Sequence, residues 1–174
     1  MPILPSEIKY YYTGGSSNTN PNTSLGGAIS SQEISSGNLH NLFDKVTGDE
    51  SAAGDIEYRC MAVRNTNATL TWEAVKIFIS ANTPADDHIE IGVETPTTGA
   101  VQVVANESTA PMGITFSSPV SRATGLDARG EGDTATCIGP NKWAAIWLKR
   151  IVPAGASAFN LNSVVVVASG DSPA

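Results

Sequence analysis

Two histidines, two cysteines and a scatter of carboxylates are the side chains through which this 174-residue sequence could do chemistry. His40 and His88 have no HExxH, no G-x-S-x-G and no ordered Ser/His/Asp set around them, so neither reads as a general base or a zinc ligand. Cys60 and Cys137 lack a CxxC or a neighbouring histidine. They read as reduced, buried small hydrophobes, with a single disulfide between them as the alternative. Asp86-Asp87 and the group Asp127, Glu131 and Asp133 lie in loops. Calcium takes carboxylates in such loops, but the spacing fits no EF-hand or nonapeptide repeat, and a solvated acidic loop is the plainer reading. Asp44, Asp49, Glu50 and Asp55 offer the paired carboxylates a glycosidase needs, as any acidic surface does. Gly14-Gly15, Gly26-Gly27 and the Gly-rich 125–133 stretch lack the GxxxxGK[ST] phosphate cradle. Three glycosylation sequons, at Asn22, Asn67 and Asn106, have meaning only in a secreted chain. The expectation is a protein that is not an enzyme, with no catalytic, cofactor-binding or metal residues.

Aromatic side chains are the remaining handle. Trp72, Trp143 and Trp147, with Tyr10, Tyr11, Tyr12 and Tyr58, could stack on sugars, although Trp on the strands of a small sandwich belongs more often to its core. The run Tyr10-Tyr11-Tyr12 differs, because successive strand residues point to opposite faces and three rings cannot enter one core. At least one ring should rest on something else.

Charge removes two classes of partner. Ten basic against seventeen acidic residues give −7 and a pI near 4.7, and Lys149-Arg150 is the sole adjacent basic pair. Nucleic acid and anionic membrane surfaces both need clustered Lys and Arg, so neither is expected as a ligand. The N-terminus lacks the pattern of a signal peptide and no apolar run reaches a membrane span, which points to folding in a cytosol.

The elements that must position these residues are mostly strands. Strand signals run over 7–13, 55–64, 70–80, 88–94, 100–104, 113–117, 142–152 and 158–168, with Gly/Pro/Asn/Thr-rich turns between them. Over 55–64, Ile56, Tyr58, Cys60 and Ala62 take one face and Glu57, Arg59, Met61 and Val63 the other. From Leu70 to Ser80 the apolar phase switches, so a β-bulge is expected near Ala74-Val75. In 142–152, Trp143, Ala145 and Trp147 oppose Ala144, Ile146 and Leu148, the pattern of a strand covered on both faces. Pro153-Ala154-Gly155-Ala156 reads as the turn of a hairpin joining it to 158–168. One short helix is expected, from Leu39, Leu42, Phe43 and Val46 at i, i+3, i+4 and i+7, with Asn38 as cap and Gly48 as stop. The fold class is all-β: an antiparallel sandwich, immunoglobulin-like or jelly-roll, over residues 35–174, preceded by an extended N-terminal arm, residues 1–34.

That arm raises its own question. Thr13 to Ser24 holds no Val, Leu, Ile, Met or aromatic residue, while ordering backbone costs about 1–2 kcal/mol per residue. Two things can hold such a stretch: side-chain hydrogen bonds from its Asn and Ser residues, or a neighbouring subunit. Leu25, Ala28, Ile29 and Ile34 follow at the spacing of an extended segment docking on a partner. The expectation is the neighbour, with Tyr10, Tyr11, Tyr12, Leu25, Ile29 and Ile34 as contact residues. Deletion of 1–34 should then remove binding and leave a folded sandwich.

Residues 24–67, SLGGAISSQEISSGNLHNLFDKVTGDESAAGDIEYRCMAVRNTN, resemble the N-terminal half of small virion structural proteins of tailed bacteriophages. The shared features are Ser24-Leu25-Gly26-Gly27, Asn41-Leu42-Phe43-Asp44 and Gly54-Asp55-x-Glu57-Tyr58-Arg59. The stretch KWAAIWLKRIVPAGASAFNLNSVVVVASG resembles their closing hairpin. The resemblance implies no catalytic residues. It implies a head decoration or cement protein that binds the major capsid protein and adds stability by covering joints between its subunits. Synthesis in the host cytoplasm, a place on the outer capsid surface suited to net negative charge, and a homo-oligomer, a trimer above all, follow from that reading. The alternatives are a receptor- or carbohydrate-binding module of a tail fibre or baseplate, and a head-to-tail neck component.

Overall fold

Apolar side chains that alternate to both faces of a strand need cover on both sides, and two stacked antiparallel sheets provide half of it. The computed structural model describes residues 1–159 and 161–173. Among them ten strands occur: β1 (Ile8–Thr13), β2 (Gly26–Glu33), β3 (Asp55–Asn65), β4 (Trp72–Asn82), β5 (His88–Glu94), β6 (Ala100–Val103), β7 (Leu126–Asp127), β8 (Cys137–Ile138), β9 (Trp143–Val152) and β10 (Val164–Asp171). The first sheet has the order β5-β9-β3-β1-β2-β6; the second has β10-β4-β7, with β8 also paired to β4. The antiparallel sandwich expected from the strand pattern is therefore the architecture.

The long pair β3–β9 is the spine, in register from Asp55 opposite Val152 to Arg64 opposite Trp143. Met61, Val63, Ala144, Ile146 and Leu148 face the second sheet and meet Trp72, Val75, Ile77 and Ile79 of β4 in the main core. Cys60, Ala62, Trp143, Ala145 and Trp147 face the other way into a second core. Its cover comes from the same chain, through Tyr11, Leu25, Ile29, Val101, Val104, Ile114 and Phe116. Asn65, fully buried, ties the sheets by donating to the Leu70 and Ile138 carbonyls at 2.8 and 3.0 Å. The expected bulge is present: Glu73 to Lys76 on β4 spans three steps against two from Ser169 to Asp171 on β10. Ala74, at φ 47°, takes the turn, and so Trp72 and Val75 reach the same core.

Three expectations need correction. The stretch 39–46 forms turns, and the α-helix, α1, lies at Gly48–Ala53. His40 has φ 55°, outside helical space. The carbonyls of Asn41 and Asp44, which a helix would use, accept instead from the Tyr12 hydroxyl and Arg150 Nη1. Thr47 and Glu50 form a capping box, with Thr47 N–H on Glu50 Oε2 at 2.6 Å, and this starts α1 where the earlier apolar spacing does not.

Second, β9 and β10 are not a hairpin. Both edges of β9 are occupied, by β3 and β5, so β10 crosses to the second sheet and pairs with β4. The connection is pinned by Ser157 N–H on Asp86 Oδ2 (2.7 Å), Ser51 Oγ–H on the Ala156 carbonyl (2.7 Å) and Asn162 Nδ2 on Asp87 Oδ1 (2.6 Å). Asn160, within the strand expected over 158–168, lies outside the described residues. The stretch 113–117 contributes a single bridge, Ser117 to Ile91, instead of a strand.

Third, residues 1–34 do not stand apart from the sandwich: β1 and β2 sit inside the first sheet, between β3 and β6. The polar stretch 13–24 is the loop between them, and its own side chains order it. Thr13 and Ser24 are fully buried; both hydroxyls donate to the Cys60 carbonyl, at 3.0 and 2.6 Å, and Ser24 Oγ accepts the Thr13 N–H. Asn18 donates to the Thr13 carbonyl, and its Oδ1 accepts the Asn20 N–H and the Thr23 hydroxyl. Asn20 Oδ1 takes the Asn22 N–H, and Ser30 Oγ–H closes on the Asn18 carbonyl. Hydrogen bonds from short polar side chains, the first of the two options, hold the loop within one chain.

Gly26 shows how close the packing is. It sits at φ +94°, and a Cβ there would run into the Gln102 carbonyl oxygen of β6 and touch the Trp147 ring. Gly26→Ala is expected to lose roughly 3 kcal/mol or more, from steric overlap added to an unfavourable φ, as a drop in the midpoint of urea unfolding.

Candidate interaction surface

Strand parity on β3 and β9 carries charge into the main core. Glu57 lies opposite Arg150 across the β3–β9 register, and Arg59 follows on the same face; all three are buried. Glu57 pairs with Arg150 Nη2, and Arg59 Nη2 pairs with Glu107 Oε2 at 2.5 Å. The Phe43 ring lies 4.9 Å from the Arg150 guanidinium carbon and 5.5 Å from that of Arg59. Burial pushes the Glu57 carboxyl above its ordinary range, with Arg150 and then Arg59 pulling against it. The cluster thus clamps the 42–44 turn and the Glu107 loop onto the spine. A sequence signal for it existed, since Glu57 and Arg59 share parity with Met61 and Val63.

Several of the other chemistry-bearing groups are also spent on structure. Among the described residues, Glu50, Asp55 and Glu57 bring carboxylate oxygens within 4.8 Å of one another, close enough for a cation, but Glu50 caps α1 and Glu57 is paired with Arg150. Asp133 binds Lys142 Nζ at 2.6 Å and the Gly139 N–H at 2.9 Å, while Glu131 accepts the Gly99 N–H. Cys60 and Cys137 are free thiols on different sheets, and burial drives the Cys60 pKa up, away from thiolate. His40 and His88 are exposed. Trp72, Trp143 and Trp147 are 5, 6 and 0% exposed, so none presents a ring face to a sugar.

The six expected contact residues converge inward. Tyr10 and Tyr12 enter the main core; the Tyr12 hydroxyl donates to the Asn41 carbonyl at 2.8 Å, and the Tyr10 hydroxyl accepts the Ala168 N–H at 3.0 Å. Burial raises the pKa of both phenols. Tyr11, with Leu25 and Ile29, joins the second core, and Ile34 packs on the first. Two cores, one on each side of the first sheet, answer the problem of three consecutive rings.

No family model, curated protein or solved structure matches this chain.

Among the described residues, the longest edge with no strand beside it is that of β10. The outer side of β5 is bridged at Ile91 by Ser117, at 2.8 and 3.0 Å, and its Ile89 carbonyl accepts from Ser118 Oγ at 3.1 Å. Strand β6 is short and is tied by Gln102 to the Met112 backbone, and β7 and β8 have two residues each. Strand β10 is eight residues long, begins with four valines, and pairs on one side alone. Val167 and Ser169 face β4, so Val164, Val166, Ala168 and Gly170 turn their backbone groups outward. Tyr10 takes the Ala168 N–H; the N–H groups of Val164 and Val166 have no partner among the described residues. Beside the far end of this edge runs a groove of about 340 Å³, lined by Ile3, Ile8, Tyr10, Trp72 and Ala168. Phe159, Leu161 and Val165 are 48, 74 and 48% exposed along its near end. Sequence reasoning missed this edge because it assigned β10 to a hairpin with β9.

Proposed function

We propose that this chain is a non-enzymatic structural protein of a phage particle, a decoration protein that binds the major capsid protein lattice and stabilises the head as a homo-oligomer. The observation that carries the reading is the open β10 edge with its flanking apolar side chains, on a sandwich whose buried charged groups are paired within the chain. Natural sheets normally close, charge or shorten such an edge, and an uncovered one serves protein–protein contact. The resemblance of the 24–67 and 142–170 segments to virion proteins supplies the kind of assembly, and the acidic surface suits the outside of a DNA-filled shell. The burial of Trp72, Trp143 and Trp147 favours this reading over the carbohydrate-binding alternative, which drew its stacking surface from Trp and Tyr side chains.

The test is copy number. Purified protein added to heads lacking it should saturate at hundreds of copies per particle, with a higher temperature of head rupture. Saturation at a dozen or fewer would move it to the neck or baseplate, and no binding would end the reading.

A further inference from the structure

We infer that the partner for the β10 edge is a second copy of this chain, joined across a twofold axis at Val165 to make one continuous sheet. The inference rests on the reading of β10 as a contact edge and adds what sits on it.

The free backbone groups are self-complementary. The residues turned outward with unpaired N–H groups before Tyr10 intervenes are Val164 and Val166. An antiparallel copy centred on Val165 sets Val164 opposite the partner's Val166, and Val166 opposite the partner's Val164. Both are hydrogen-bonded-type pairs, so all four free N–H groups find carbonyls. The Tyr10–Ala168 bond stays intact on both sides. Any register moved toward Ala168 would need the N–H that Tyr10 already holds.

Side chains and charge agree with this register. Val165 faces outward on the second sheet and would meet its own copy at the close, non-hydrogen-bonded position, where β-branched pairs pack best. Leu161 and Phe159, exposed at the start of the edge, would lie toward the partner's Ser169 and Asp171, covering apolar surface that is otherwise bare. Two chains of net charge −7 repel at long range, yet β10 holds no charged residue before Asp171. In this register Asp171 falls opposite the partner's Phe159, so no like charges meet in the ladder.

The experiment uses the full chain. Sedimentation at micromolar to tens of micromolar concentration is expected to show a dimer. Val165→Lys sets two ammonium groups against each other on a position that tolerates polarity in the monomer. It should weaken dimerisation about tenfold or more while leaving the unfolding midpoint of the monomer unchanged. Val165→Cys should cross-link to itself under mild oxidant, whereas Val167→Cys, opposite the partner's Ser163, should not, with the unmodified chain giving the background from Cys137. A monomer, a trimer, a dimer indifferent to Val165→Lys, or equal cross-linking at 165 and 167 would each overturn the inference. Head binding by Val165→Lys separates the two ideas: a monomeric variant that still saturates heads leaves the decoration role standing, and a dimer that binds no heads leaves the pairing standing alone.

Discussion

A chain beginning at residue 35 is expected not to fold. The truncation removes β1 and β2 from the middle of the six-stranded sheet and leaves β6 with no neighbour. Tyr10 and Tyr12 leave the main core, and Tyr11, Leu25 and Ile29 uncover Cys60 and Trp147 in the second. Full burial of a large apolar side chain contributes about 1.5–3 kcal/mol, so Tyr12 with the four half-buried ones represents roughly 5–9 kcal/mol, the order of the whole stability of a typical domain. The residues of β3 that pair with β1, from Met61 to Asn65, would be left as a bare apolar edge. Far-UV circular dichroism and protease digestion check this. A truncated chain with a cooperative thermal transition would mean the first sheet closes without these strands, and the account of two cores would fail.

The second large effect lies in the charged cluster. Glu57→Ala is expected to cost roughly 3–5 kcal/mol, because it leaves Arg150 and Arg59 buried beside each other without the carboxylate between them. Glu107 and Asp44, both partly exposed, remain as counter-charges but reach the guanidiniums from the rim. The triple change Glu57→Leu, Arg59→Met, Arg150→Leu separates charge from shape. It removes the buried ions together and should recover much of the loss in urea unfolding. If Glu57→Ala falls within about 1 kcal/mol of the parent, water reaches the cluster and the clamp is weaker than its geometry implies.

Much of the fold was legible in the residues, for a local reason. Period-two alternation, turn chemistry and the phase switch at Ala74-Val75 are properties of a few adjacent side chains, and they yielded β3, β4, β5, β9 and the bulge. What failed needed knowledge of distant partners. The 39–46 stretch has helical spacing, but its carbonyls are claimed by Tyr12 and Arg150, which lie far away in sequence. The 153–163 turn looks like a hairpin until β5 is seen to hold the edge of β9 that β10 would need. The polar loop 13–24 points to a neighbour only when its lack of apolar side chains is weighed above its hydrogen-bonding residues. Thr13 and Ser24 show the other way, two hydroxyls satisfied on one carbonyl beneath the sheet. The candidate surface was least legible of all, since an open edge is defined by what fails to pair with it.

The β3–β9 spine also sets the order of events during synthesis. Met61 lies opposite Ile146, so the central pair closes only after the long stretch between them has left the ribosome. At about 5–20 residues per second, β3 waits several seconds with its β9-side edge unpaired, and contacts this distant in sequence are slow to form in any case. The nascent chain is therefore a natural client for a holdase, and its yield in a host should rise with chaperone supply more than with slower transcription.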